Sequence, residues 1–264
     1  MLCPRSTVLT LTLTLALGAC TAAPRAALAP LETLRPVEAE LVVRPTERGL
    51  ERPRWDPWTE EQIASSPGRV SIRVRFAELD AEAARELLGD QSATLVSLIV
   101  SREESERLFE NRADPRPERE YFNDSSLVLH EEQRGYVSVT DQRAYVSGFA
   151  IRSNGNVAAA DPRVEVVSEG VQLMVVGSAD RSDGRVTLEL GLEECSFDRE
   201  FTQRDFAVAG GRVTTQEPRG LSRSLATRVT LARDEALILG GTTLVGHTPG
   251  RALFALVEAE AAVD

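Results

Sequence analysis

Apolar and polar residues alternate with a period of two through most of the chain, and that period predicts strands rather than helices. In VSIRVRFAEL, Val70, Ile72, Val74 and Phe76 point one way while Ser71, Arg73 and Arg75 point the other, the pattern of a strand with one wet face. Further strands are expected at Leu127–Leu129, at Tyr136–Val139 and from Ala144 to Ile151, with a polar turn at Glu131–Gly135. Asp161-Pro162 is read as opening a hairpin with arms Val164–Val176 and Arg185–Leu190; Val171, Leu173 and Val175 alternate after Gly170, and Asp183-Gly184 marks the turn. Towards the C-terminus Thr227, Val229 and Leu231 alternate with polar neighbours, and Ala236–Leu239 is a continuous apolar run. The charged stretch Ala232–Glu235 between them predicts a hairpin. Gly240 and Gly241 end the second strand where a side chain would be in the way, through positive φ or close backbone approach. A final strand is expected over Ala252–Val257.

Helices are few and are announced by their caps. Thr59 caps a short helix, Asp80 caps one running through Leu88 to a stop at Gly89, and Ser101 with Glu104 forms a capping box for a helix reaching Phe109. The fold class is therefore mainly β with short helices (α+β), built of antiparallel hairpins that pack their apolar faces together.

The first 20 residues follow another logic. A cationic Arg5, an apolar core from Val8 to Leu17 and a small-residue end make a secretory signal, too short in its core to span a bilayer as a mature helix. Leu17, Gly18, Ala19 and Cys20 resemble the bacterial lipobox, which implies a lipidated Cys20 as the first mature residue. Thr21 follows rather than an Asp, so the resemblance implies an outer-membrane lipoprotein facing the periplasm. From Thr21 to about Gly68, prolines recur and predict an extended tether. Trp55 and Trp58 stand out within it, either packing its end onto the domain or contacting a partner. The expected division is 1–19 signal, 20–68 tether and 69–264 β domain, with ordered structure starting near Val70.

Composition narrows the function. The chain has 264 residues, 42% hydrophobic and 27% charged, with a net charge of -11, as an ordinary globular chain does. That acidity, with no clustered run of its arginines, argues against nucleic acid as a partner. His130 and His247 are too far apart for a metal-ligand spacing, so no metal is expected. With Cys3 in the signal and Cys20 lipidated, Cys195 is left without an intrachain partner and is read as a packed free thiol. No nucleophile elbow, Walker loop or dinucleotide fingerprint occurs, and Glu103-Glu104 and Glu193-Glu194 are what a chain with 41 acidic residues produces by chance. Neither an enzyme nor a cofactor is expected.

The C-terminal pattern resembles the core domain of bacterial secretins, the outer-membrane rings of type II and type III secretion. In that family a T-x-V-x-V strand leads through a turn to a hydrophobic strand ending in paired glycines. Thr227, Val229, Leu231, Leu237, Leu239, Gly240 and Gly241 stand at the matching places, with Glu235 replacing the usual turn glycine. The opening strand at Val70, LVLHEEQRGYVSV, the G-x-x-L-x-V strand after Gly170 and its V-T-L return extend the resemblance over about residues 70–260. It implies a role in secretion or in assembling an envelope complex, with other copies or secretion components as partners. The other class left open is a periplasmic β-sandwich lipoprotein that binds an envelope protein without lining a pore. Because the region Asp80–Asp124 is charge-dense and aromatics are 5% of the chain, no autonomous membrane-spanning barrel is expected, and attachment rests on Cys20.

Overall fold

The computed structural model describes residues 35–51, 53, 57–66, 68–80, 96–110, 123–153, 158–208, 211–242 and 251–262. It is mostly antiparallel β. Six strands form sheet A: β1 (Arg35–Pro36), β3 (Arg69–Asp80), β4 (Val96–Ser101), β5 (Asn123–His130), β12 (Glu235–Thr242) and β13 (Arg251–Ala262), in the order β1-β4-β12-β13-β3-β5. Five form sheet B: β2 (Ala39–Thr46), β6 (Arg134–Ser153), β7 (Ala158–Ala179), β8 (Val186–Phe197) and β11 (Gly220–Leu231), in the order β2-β11-β8-β7-β6. A separate hairpin pairs β9 (Thr202–Val208) with β10 (Gly211–Glu217).

The period-two pattern explains how the sheets meet. Val70, Ile72, Val74 and Phe76 from sheet A join Val171, Leu173, Val175, Leu188 and Leu231 from sheet B in one core, all at most 1% exposed. At Gly177 the sheets approach closely, since a Cβ there would lie 3.3 Å from Val70 Cγ1. Strands β4, β12 and β13 are buried on both faces: Ile99, Leu237 and Val257 look into the shared core, while Leu98, Ile238 and Leu256 fill the opposite side. Helix α2 (Arg102–Glu110) packs beside β4 and β12. Its Ser101 hydroxyl accepts from Glu104 N at 3.2 Å, and Ser101 N donates back to Glu104 Oε2 at 3.3 Å, the capping box read from sequence. On this side Glu258 is buried and paired with Arg75 at 2.9 Å. The other helix, α1 (Glu60–Ser65), has the expected Thr59 cap, to which Gln62 adds the reciprocal bond of a capping box, and Trp58 beside it stacks on His130 at 5.8 Å.

Several expectations are corrected. The stretch Thr227–Leu239 is not a hairpin: β11 lies in sheet B and β12 in sheet A, so the connection is an arch between the two. An apolar run buried on both sides needs a central place, and β12 finds one between β4 and β13. The polar turn expected at Glu131–Gly135 is present, with Glu132 at φ 66, and it carries the chain from sheet A into sheet B. Pairing begins before Val70, because β1 pairs with β4 and β2 pairs with β11 inside the segment read as a tether. Their prolines are tolerated because both are edge strands. Asp80 is the last residue of β3; the helix expected to follow it, Trp55 and Cys20 lie outside the described residues. The strands expected at Tyr136–Val139 and Ala144–Ile151 are one strand of 20 residues, and Asp161-Pro162 lies within β7.

Candidate functional site

The sequence-predicted motif residues come together as scaffold. Val229, Leu231, Leu237 and Leu239 are buried in the shared core, and the Thr227 hydroxyl donates to Glu38 O at 2.7 Å, tying β11 to the segment before β2. Gly240 has φ 139 and Gly241 φ 98, a region disfavoured for L side chains. A Cβ on Gly240 would lie 2.2 Å from Leu253 O, in the neighbouring strand, where the β12–β13 register shifts. Both readings made for the pair, positive φ and close backbone approach, hold at Gly240.

What sequence reasoning missed is an arm. Pairing between β7 and β8 ends at Gly170 and Cys195, but β6 and β7 stay paired out to Ser153 and Ala158. A bulge between Val146 and Gly148 keeps the two strands in step. The register puts Ala144, Val146, Phe149 and Ile151 on one face with Val166, Val164, Pro162 and Ala160. That face is apolar along its length and open to solvent: Ile151 is 61% exposed, Val164 60% and Val166 56%. The opposite face is polar. Arg152 pairs with Asp161 at 2.8 Å, and Glu165 accepts from the Tyr145 and Ser147 hydroxyls, each at 2.9 Å. Those hydrogen bonds, Tyr145's first, hold the Glu165 carboxyl below its usual range, while desolvation and then the Glu165 bond push the Tyr145 phenol up.

The root of the arm is rigidly seated. Val167, Cys195, Phe197 and Phe201 form a second small core, joined by Leu50 and Tyr145. The Arg143 guanidinium lies 4.2 Å over the Phe201 ring and donates to the carbonyls of Asp198 at 3.0 Å and Arg199 at 2.7 Å. The β9–β10 hairpin stands beside the arm, with Gln216 Oε1 accepting from Val146 N at 3.0 Å and Phe206 half exposed. Cys195 is 2% exposed, as expected of a packed thiol, and burial pushes its pKa up to about 11. Among the described residues no group of His, Cys, Asp or Glu is placed to hold a metal ion, and no helix is long and apolar enough to cross a membrane.

The signal for the arm was present in the alternating run from Ala144 to Ile151 and in Val164 and Val166. The sequence reading opens the next hairpin at Asp161-Pro162 and so does not pair Ala144–Ile151 with Val164 and Val166. No family model, no curated protein and no solved structure matches the chain.

Proposed function

We propose that this chain is an outer-membrane-associated lipoprotein with a secretin-like domain, anchored through a lipidated Cys20 and facing the periplasm, that takes part in protein secretion or in assembling such an envelope complex. The observation that carries this reading is the β6–β7 arm, an amphipathic hairpin held out from a folded sandwich with its apolar face uncovered. Contiguous exposed apolar surface marks a place meant for a membrane or a partner. At about 3.3 Å per residue, the arm beyond Arg143 has the roughly 9–11 residues of a membrane-spanning strand. The paired glycines closing β12 and the T-x-V-x-L strand before them support the same reading.

Among the described residues, one copy would bring β6, β7, β9 and β10 to such a wall. Outer-membrane barrels close with about eight strands or more, so a pore walled by these strands would take several copies. Attachment of the single chain then rests on Cys20. Two measurements test this. Size in mild detergent separates a very large, heat-resistant ring from the monomer or small oligomer of a binding lipoprotein. Fatty-acid labelling should mark the wild type and not Cys20→Ala; equal labelling removes the anchor from the proposal.

A further inference from the structure

We propose that β2 is a self-pairing edge: two copies of the chain join there, antiparallel about a two-fold axis, and sheet B runs on from one copy into the other. Strand β2 lies at the end of sheet B opposite β6 and its arm, and among the described residues no strand pairs with its outer side. Natural sheet edges are blunted by shortness, by bulges or by proline. Here the pairing with β11 runs the whole length of Ala39–Thr46 without a shift in register, and Pro45 comes only near its far end.

The ladder decides which backbone groups this edge offers. Asp198 N donates to Arg219 O at 2.8 Å, continuing the β8–β11 register, so the odd-numbered residues of β11 bond to β8 and the even-numbered ones to β2. Opposite Ser224 and Ser222, Val42 and Arg44 are therefore the residues bonded to β11, while the N–H and C=O groups of Ala39, Leu41 and Val43 point away from the sheet. Pro45 falls on the same outward side, where its missing N–H leaves the β11 ladder whole.

The side chains single out a second copy as the occupant. Glu40, Val42 and Arg44 share one face of β2, and Leu41 and Val43 share the other, which is the face that carries the buried Leu225 on β11. Leu41 and Val43 are nevertheless 41% and 51% exposed. When the strand is laid antiparallel on itself about Val42, Leu41 of each copy meets Val43 of the other, and their outward backbone groups exchange hydrogen bonds. In the same register Glu40 of each copy stands opposite Arg44 of the other, in the closely spaced pairs where side chains meet. A two-fold interface needs this self-complementarity, with residue i facing j and j facing i. Apolar residues pair on one face and opposite charges on the other.

This pairing is independent of the secretin-like reading, which stands on the arm at the other edge of sheet B. The full chain in mild detergent is followed by sedimentation velocity with the detergent density-matched, and wild type should show a monomer–dimer equilibrium. Glu40→Arg and Arg44→Glu each set like charges opposite one another and should weaken the dimer about tenfold, and the two changes combined should restore it. Both positions are exposed, so melting temperatures should hold, and restoration in the double variant excludes a folding defect. Val42→Cys should give a disulfide-linked dimer above the wild-type level on mild oxidation, because it faces its own copy within disulfide reach; Glu40→Cys, which faces Arg44 instead, should not. A monomer at every concentration reached, association that the single charge reversals leave unchanged, or a Val42→Cys chain that does not cross-link overturns the proposal. A large ring without the Val42→Cys cross-link keeps the secretin-like reading and removes this one, and a cross-linked dimer with no ring does the reverse.

Discussion

Gly240→Ala adds one methyl group where the fold has no room for it. The new Cβ would stand 2.2 Å from Leu253 O and 2.7 Å from Phe254 Cα. Both are main-chain atoms of β13, a strand held on one side by β12 and on the other by β3, so neither can swing aside as a side chain would. The φ of 139 adds backbone strain of about 1–3 kcal/mol for any residue with a Cβ. Overpacking a closed site adds about 1–3 kcal/mol more. A total loss of about 2–6 kcal/mol should lower the melting temperature by roughly 4–24 °C in a chain of this size. Two controls separate the causes. Gly184 has φ 73 but nothing within 4 Å of its Cβ position, so Gly184→Ala should cost about 1 kcal/mol from strain alone. At Gly148 there is neither crowding nor positive φ, and Gly148→Ala should be neutral within about 0.5 kcal/mol. Urea titration followed by circular dichroism gives all three values. If Gly240→Ala matches Gly184→Ala, the close approach of β13 has no energetic weight and the argument fails.

Three further outcomes follow from the same coordinates. The Cys195 thiol, raised to about 11, is neutral at pH 7 and should resist alkylation until the protein is unfolded. A raised folded pKa gives stability present below the unfolded value near 9 and lost as pH climbs towards 11; Cys195→Ala should flatten that alkaline decline, and an identical slope in both proteins would locate it elsewhere. In limited proteolysis the Ala39–Thr46 strand should stay uncut, because eight residues of it pair with β11; early cleavage there would show the pairing to be weak. Val164→Asp with Val166→Asp, both at exposed positions, should leave the melting temperature within a few degrees of wild type while abolishing detergent-resistant assembly, and a normal assembly would mean the apolar face has no partner.

Local chemistry was the legible part of this sequence. Caps at Thr59 and Ser101, the Asp183-Gly184 turn and the Gly240 backbone each depend on a few neighbouring residues, and each was read correctly. Strand alternation was legible too, since it reports which side chains share a face. It does not report which strand lies alongside, and so the crossing at Ala232–Glu235 reads as a hairpin turn. Proline misled twice for one physical reason. Pro36 and Pro45 sit in edge strands, and Pro162 sits where β7 is no longer paired with β8, places where a missing N–H need not break a ladder.

The order of strands in sheet A has a consequence for how the chain reaches its fold. Among the described residues, β4 pairs in sheet A only with β1 and β12, and β3 only with β5 and β13. Until residues 235–262 arrive, sheet A therefore exists as two disconnected pairs with apolar edges open, although β7, β8 and β11 can already zip together. Strands β12 and β13 act as a keystone between pieces made long before them, a long-range closure of the kind that folds slowly. A nascent chain would carry those unsatisfied edges until residues 235–262 are delivered, and would need to be shielded from its neighbours until then.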